Sequence, residues 1–157
     1  MVNKLKVAIY WAGGWLEASY DAPKIAAFVC NWCLRADEDM AALDRVPPNV
    51  RVVSVPCSGR VDPLFVLHAL RTPADGAPVD GVLVAGCTPG ECHYKEGNSI
   101  EQSRLLLLQM MMTNLGMDAR RVRFARFGAA DRGKFEQTLA EMATELAAVA
   151  PEVSGTW

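Results

Sequence analysis

Four short, mostly apolar runs alternate with segments of helical period along the chain. The runs cover 24–30, 51–55, 81–86 and 121–125. Runs of this length are typical of strands that are buried on both faces of a sheet. Because strands that alternate with helices favour a mostly parallel sheet covered on both sides, the pattern predicts a single three-layer α/β domain with four to five strands.

Capping and stop signals place the helices between these strands. Asp62 and Pro63 are residue types that favour the cap and the first position of a helix. Ser99 and Gln102 match a capping box, and Gly116 matches the stop that ends many helices. The predicted helices cover 62–71, about 98–115 and 131–150, with a fourth from 33 to about 44.

The N-terminal segment predicts an addition to this core. Residues 6–11 have the pattern of one more strand, and Gly13 and Gly14 favour a turn after it. An added hairpin or an edge strand would satisfy both signals. Because no internal repeat and no interdomain linker interrupts the sequence, we expect residues 1–157 to form one domain, with its core over about 24–150.

Composition and charge exclude several classes of protein. The chain has 157 residues, of which 51% are hydrophobic, and this is too many for intrinsic disorder. The formal net charge of −2 gives no basic surface for a nucleic acid. The longest apolar stretch, 105–112, is interrupted by Gln109 and is too short to span a membrane. Since no secretory signal is recognisable, we expect a cytoplasmic protein without membrane insertion.

Five cysteines carry the chemical information. Cys30 ends the first predicted strand and Cys87 ends the third, and Cys57 lies two residues past the second. Because the carboxyl ends of parallel strands meet along one edge of a sheet, we expect these three thiols to lie together. Cys33 and Cys92 fall in the loops that leave the same edge, in Cys-x-x-Cys and Cys-x₄-Cys spacings. The sequence therefore predicts a group of five thiols.

Three chemistries use thiols in such an arrangement. An iron–sulfur cluster takes four soft ligands in a shielded pocket. A zinc-stabilised interaction module also takes four, with His93 as an extra donor. A dithiol redox protein would use Cys30 and Cys33 alone, and would leave the other three cysteines without a role. A domain with this much core gains little from a structural zinc, so the iron–sulfur cluster is favoured while both alternatives stay open.

Residues beside the cysteines fit a shielded site. Gly59 lets backbone N–H groups approach a sulfur closely, and Trp32 either caps the site or packs as an ordinary aromatic. Arg60 either offsets thiolate charge or forms a surface ion pair, and His93 adjoins Cys92. We find no Ser/His/Asp order, paired carboxylates or phosphate-binding loop, and therefore expect no catalytic residues.

The three sequence blocks that contain the cysteines resemble one known family. They cover 28–33 (FVCNWC), 49–63 and 81–94 (GVLVAGCTPGECHY). Over about 24–150 the chain is similar to the delta subunit of methyl-viologen-reducing hydrogenase. The resemblance implies a non-catalytic electron-transfer subunit with a 2Fe–2S cluster. It also implies a place between a hydrogenase, formate dehydrogenase or other oxidoreductase and a flavin-containing subunit of the heterodisulfide reductase type.

The resemblance also implies the cluster ligands, which are four of the five cysteines. It does not decide which thiol is spare. Short loops close at little entropic cost, and this favours the local pairs Cys30 with Cys33 and Cys87 with Cys92. Cys57 is then expected as their near neighbour.

Overall fold

The computed structural model describes residues 22–34, 46–71 and 78–149 in full, together with the backbone of 7–11 and 14–18. Within these residues the strands are β1 (Val7–Trp11), β2 (Gly14–Ala18), β3 (Ile25–Cys30), β4 (Val50–Val55), β5 (Gly81–Cys87) and β6 (Val122–Phe127). The helices described are α1 (Pro63–Arg71), α2 (Gly97–Asn114) and α3 (Arg132–Ala147). A 3₁₀ turn, Ser58–Arg60, lies between β4 and α1.

Strands β3 to β6 form a four-stranded parallel sheet in the order β4-β3-β5-β6. Every residue of the central strands β3 and β5 is buried, as their apolar runs predict. In the pairing register, Ile25 stands level with Val50 on one side and with Gly81 on the other. The carboxyl ends of β3, β4 and β5 therefore meet at one edge, and the predicted α/β fold is confirmed.

Helices cover both faces of this sheet. On β3, Ile25, Ala27 and Val29 join the core beneath α3, whereas Ala26 and Phe28 join the core beneath α1 and α2. This alternation is the two-residue period of a strand. All five cysteines belong to the core on the α3 side, at its end nearest the carboxyl edge.

The helix signals at α1 and at the end of α2 are confirmed. The Asp62 side chain accepts a hydrogen bond from the Leu64 N–H at 2.8 Å. Gly116 has φ +77°, and the Met117 N–H donates to the Met112 carbonyl at 2.9 Å. This arrangement is a Schellman motif, in which glycine takes the left-handed position after the last helical turn.

The start of α2 differs from its prediction. The helix begins at Gly97, and the capping box of Ser99 and Gln102 is wrong. Ser99 lies in the first helical turn, where its N–H is bonded to the Asn98 side chain at 2.9 Å and to the Glu96 carbonyl. The physical reason is that the helix begins two residues before Ser99, so Ser99 is already inside the first turn and does not occupy the cap position.

Other predicted boundaries shift or fall outside the described residues. α3 ends at Ala147, before the predicted end at 150. Cys33 and Leu34 lie in a turn instead of opening a helix, and 35–44 lie outside the described residues. Near the N-terminus, β1 and β2 pair antiparallel with Trp11 opposite Gly14, so the hairpin is confirmed as a two-stranded sheet of its own. Among the helices that the structure describes, none has the length and apolar character needed to cross a bilayer.

Candidate metal centre

The first pair of cysteines comes from the ends of adjacent strands. Cys30 is the last residue of β3 and Cys87 the last residue of β5, and both are buried. Their Sγ atoms are 3.8 Å apart. The expectation that the strand ends bring thiols together therefore holds for these two.

The second pair comes from two loops. Cys57 precedes the 3₁₀ turn after β4, and Cys92 lies in the loop between β5 and α2. Their Sγ atoms are 3.9 Å apart. Both sulfurs lie over the amino end of α2, because a Cβ at Gly97 would stand 2.2 Å from Cys57 Sγ and 3.4 Å from Cys92 Sγ. The second pair therefore rests against the backbone of the first helical turn.

Two glycines let the backbone fit closely around this pair. A Cβ at Gly59 would stand 2.8 Å from the Gly97 Cα, so the 3₁₀ turn and the start of α2 are in backbone contact. The Gly59 N–H also donates a hydrogen bond to the Cys57 sulfur. The predicted role of Gly59, a close approach of an N–H to a sulfur, agrees with this geometry.

Cys33 stands apart from both pairs in its hydrogen bonding. Its thiol faces the Cys30 carbonyl oxygen at 3.3 Å and the Ala85 carbonyl oxygen at 3.5 Å. It also reaches the Cys30 sulfur. A thiolate at this position would face two carbonyl oxygens, so the arrangement favours a protonated thiol that donates.

The surroundings of the cysteines strongly favour the thiolate form of Cys30 and disfavour the thiolate forms of Cys33, Cys57 and Cys87. The hydrogen bond from Cys33 lowers the pKa of Cys30 to about 5 against the effect of burial, and the N–H groups of Trp32 and Cys33 add to it. Burial raises the pKa of Cys87 to about 12, with a further contribution from the Cys30 charge. Burial also raises the pKa of Cys57. The hydrogen bond to Cys30, together with burial, raises the pKa of Cys33. A positive charge placed among these sulfurs would therefore favour their thiolate forms.

An exposed aromatic stack covers the two cysteine loops. The Trp32 ring lies parallel to the His93 ring, with centroids 3.7 Å apart and planes 4° apart. Tyr94 meets His93 edge-on at 5.0 Å. Trp32 is 38% exposed and His93 is exposed, so the stack joins the two cysteine loops at the protein surface. Arg60 is exposed at the end of the 3₁₀ turn.

The sequence did not single out Asn98 as a residue of the site. Its amide donates to the Cys87 carbonyl at 2.9 Å and to the Thr88 carbonyl at 3.0 Å, and thereby ties the end of β5 to the start of α2. Only 1% of Asn98 is exposed. A polar residue on the apolar side of a helix start, shortly after a cysteine loop, is the signal that could have identified it.

The sulfur spacings fit a site with two metal ions. A tetrahedral ion with metal–sulfur bonds of about 2.3 Å holds its ligand sulfurs about 3.8 Å apart. Both cysteine pairs have this spacing, at 3.8 and 3.9 Å. Across 22–34, 46–71 and 78–149, no group of three or more His, Cys, Asp or Glu side chains surrounds a single ion position. Each pair therefore offers two thiol groups at the spacing of two sulfur ligands on one iron.

Comparisons with known proteins agree with the resemblance. The family model for the delta subunit of methyl-viologen-reducing hydrogenase matches residues 25–150. The chain is 38% identical over 131 residues to the vhc iron–sulfur subunit of the F420-non-reducing hydrogenase of Methanococcus voltae, covering 82% of this chain and 88% of that relative. It is 41% identical over 131 residues to the iron–sulfur subunit of the F420-non-reducing hydrogenase of Archaeoglobus profundus, covering 82% of this chain and 92% of that relative.

A further relative is much longer than this chain. It is one of the subunits of the ferredoxin/F(420)H(2)-dependent CoB-CoM heterodisulfide reductase of Methanosarcina acetivorans, and it is 41% identical over 131 residues. The match covers 82% of this chain but only 16% of that relative. The region shared with this chain is thus one part of a larger polypeptide in that protein.

Proposed function

The chain belongs to the methyl-viologen-reducing hydrogenase delta subunit family, and from this premise we propose that it is a non-catalytic electron-transfer subunit carrying a 2Fe–2S cluster. The observation that carries the proposal is the pair of sulfur–sulfur distances, 3.8 and 3.9 Å, at the carboxyl edge of the sheet. The names of the hydrogenase relatives, which call them iron–sulfur subunits, support it.

The geometry supports a particular set of ligands. In our proposal Cys30 and Cys87 hold one iron, and Cys57 and Cys92 hold the other. Cys33 is the fifth thiol, because its sulfur faces two carbonyl oxygens and is suited to donate to Cys30. This set differs from the preference for the two local pairs, which loop length alone favours.

The chain's own residues would shield and tune the cluster. When bound, the cluster supplies one-electron oxidation and reduction. The N–H groups of Trp32, Cys33 and Gly59 donate to ligand sulfurs, and such bonds stabilise the more negative, reduced state. The stacked rings of Trp32 and His93 keep water from one side of the site.

We propose electron exchange with two kinds of partner. One is a donor of the hydrogenase, formate dehydrogenase or other oxidoreductase type, and the other is a flavin-containing subunit of the heterodisulfide reductase type. The names of the relatives support both: several are hydrogenase subunits, and two are heterodisulfide reductase subunits that contain the shared region within their own chains. Five free, buried thiols suit a reducing compartment, and we place the protein in the cytoplasm.

Metal and sulfide analysis of the full chain, purified without oxygen, tests the proposal. We expect two irons and two acid-labile sulfides for each chain, visible absorbance that bleaches on reduction, and uptake of one electron. A colourless protein that contains zinc and no iron would contradict the proposal, and so would four irons for each chain.

A second candidate function, a dithiol redox protein, is favoured by one observation. The Cys33 thiol donates to the sulfur of Cys30 across a Cys-x-x-Cys turn, which is the relation of the two thiols in thiol–disulfide oxidoreductases. Reversible formation of a Cys30–Cys33 disulfide in an iron-free protein, with reduction of a test disulfide, would support this candidate. Loss of that activity in Cys30→Ser but not in Cys57→Ser would assign it.

A further inference from the structure

Glu101 is a buried carboxyl group outside the cysteine site. It lies on α2 and is 0% exposed, and neither of its carboxyl oxygens has a hydrogen-bond partner. Its nearest cation is the Arg104 guanidinium, with Nη1 3.9 Å from Oε2. Because that guanidinium is 45% exposed, it screens the carboxyl only in part.

The environment of Glu101 keeps a proton bound up to neutral pH. Burial raises the pKa of Glu101 to about 7, with a small contribution from the Asp62 carboxylate, and Arg104 opposes both. An ionised carboxylate without hydrogen bonds is costly in a dry environment, which explains the direction of the pKa change. The group is therefore poised to gain or lose a proton in response to a small change in nearby charge.

Glu101 is directed toward the helix turn that supports the second cysteine pair. Gly97 precedes it by four residues, so the two share one face of α2, about 6 Å apart along the axis. Helical side chains lean toward the amino end of their helix. This general lean directs the side chain at 101 toward the Gly97 turn, whose backbone meets Cys57 and Cys92.

A second connection runs through Gly59. Its carbonyl accepts a hydrogen bond from Arg104 Nη1 at 2.9 Å, and its N–H donates to the Cys57 sulfur. Arg104 is the same side chain that approaches Glu101. The Glu101 carboxyl group is therefore connected to the Cys57 sulfur through the Arg104 guanidinium and the Gly59 backbone.

We propose that Glu101 is a proton-binding site coupled to reduction of the cluster, an inference that rests on the proposed function. When the two-iron cluster accepts one electron from a reductant, one Fe³⁺ becomes Fe²⁺, and the Glu101 carboxylate takes one proton from water. On oxidation the electron passes to the acceptor and the proton returns to solvent. No other bond forms or breaks, and the added negative charge of the reduced cluster is what raises the affinity for the proton.

Charged groups come close to this part of α2 from its own turn and from the elements packed on it, including Arg126 of β6, which bonds the neighbouring Gln102. Arg104 belongs to the same helix, Asp62 precedes α1, and Arg60 ends the 3₁₀ turn that packs on α2. Cys57 and Cys92 are the sulfurs nearest to the shared helix turn. Arg60 and Arg104 are exposed and Asp62 lies at the surface, so solvent screens their charges. A change of charge on the buried sulfurs is screened least.

The test is a redox titration of the iron-loaded full chain at a series of pH values from about 6 to about 9, followed by visible absorbance with dithionite as reductant. We expect the midpoint potential to fall with rising pH above about 7. The slope can reach about 59 mV for a tenfold change in proton concentration, the limit for one proton and one electron. In Glu101→Gln the slope should fall at least threefold, whereas the exposed control Glu96→Gln should keep the wild-type slope.

A second measurement does not depend on the variants. Reduced-minus-oxidised infrared spectra of the wild-type protein should show a protonated carboxyl band at neutral pH that shifts in heavy water. Glu101→Met, in which an apolar chain of similar length replaces the carboxyl group, should lack the band. A loaded protein with a pH-independent potential, or an unchanged slope in Glu101→Gln, would overturn this inference alone. Absence of iron and sulfide, measured first, would overturn the proposed function and this inference with it.

Discussion

The second cysteine pair requires a residue without a side chain at position 97. A Cβ at this position would stand 2.2 Å from Cys57 Sγ, far inside contact distance. Gly97→Ala should therefore displace the Cys57 sulfur and reduce bound iron at least fivefold, measured as iron per folded chain. The matched control is Gly133→Ala in α3, where a Cβ meets no atom within 4 Å and iron content should not change. Full iron content in Gly97→Ala would contradict the proposed pairing.

The five cysteines should not respond equally to substitution. Cys33→Ser keeps a donor beside Cys30 and removes no proposed ligand, so the variant should keep its cluster with a shifted visible spectrum. Cys57→Ser and Cys92→Ser remove a soft ligand each and should lose most of the iron. Iron and sulfide content, with paramagnetic resonance of the reduced protein, distinguishes the variants. If Cys33→Ser lost the cluster and Cys57→Ser kept it, the preference from loop length would be the right one.

The Glu101 carboxyl group makes stability depend on pH. Its pKa rises from an ordinary value of 4.5 to about 7 on folding, so the folded protein binds the proton more tightly than the unfolded chain. This contribution is fully present below pH 4.5 and is lost as the pH rises through 7. At about pH 8, Glu101→Gln should be more stable than the wild type by about 1–3 kcal/mol, and at about pH 4 the two should nearly agree. Urea unfolding of the oxidised protein measures this difference, and Glu96→Gln should show no such trend.

The sequence analysis did not identify Glu101 as a buried carboxyl group. Glu101 occurs between Asn98 and Leu105 on the face that continues through Leu108 and Met112, all of which are buried. The spacing of three and four residues between these positions was sufficient to place the carboxyl on the buried face. Its lack of hydrogen-bond partners was not visible in the sequence, because it depends on which backbone groups the 3₁₀ turn presents to α2.

At the scale of elements, strands were more predictable than helix starts. The apolar runs identify β3 and β5 because both strands are buried on both faces. The start of α2 was wrong by one turn or less, since Asn98 directs its amide to the end of β5 and its oxygen to Ser99. A polar side chain near a helix start can bond either to neighbouring backbone groups or to a distant element. The sequence alone does not determine which of these hydrogen bonds forms.

The end of α2 should be sensitive to the conformation of one residue. Gly116 has φ +77°, and a Cβ there meets no atom within 4 Å, so only backbone strain opposes a side chain. Gly116→Ala should reduce the free energy of unfolding by about 1 kcal/mol, and Gly116→Asn by less, because asparagine tolerates the left-handed region. Thermal unfolding measures both. The cysteine contacts of α2 lie at Gly97, at the opposite end of the helix, so the iron content of Gly116→Ala should equal that of the wild type. A loss of iron in Gly116→Ala would show that the end of α2 also affects the cysteine site.

At the scale of the whole molecule, the sulfur pairs depend on contacts that only the folded chain creates. Cys57 meets Cys92 because β4 lies beside β3 and because the 3₁₀ turn rests on the first residue of α2. The sequence predicted that five thiols share one edge, since this follows from parallel strands alone. It did not predict which sulfurs pair, because spacing along the chain favours Cys30 with Cys33 and Cys87 with Cys92.

Ligands from four separate segments should couple cluster binding to the stability of the entire fold. The proposed ligands end β3 and β5, follow β4 and precede α2, so a cluster held by them would link segments from Cys30 to Cys92. A link that closes loops of this length in the unfolded chain typically stabilises a protein by about 2–4 kcal/mol. Removal of the iron with a chelator under reducing conditions should therefore lower the midpoint of thermal unfolding by roughly 5–15 °C. In Cys57→Ser, which is expected to hold no cluster, the same treatment should leave the midpoint unchanged. Equal midpoints of thermal unfolding for the loaded and iron-free wild-type protein would contradict a cluster that cross-links these segments.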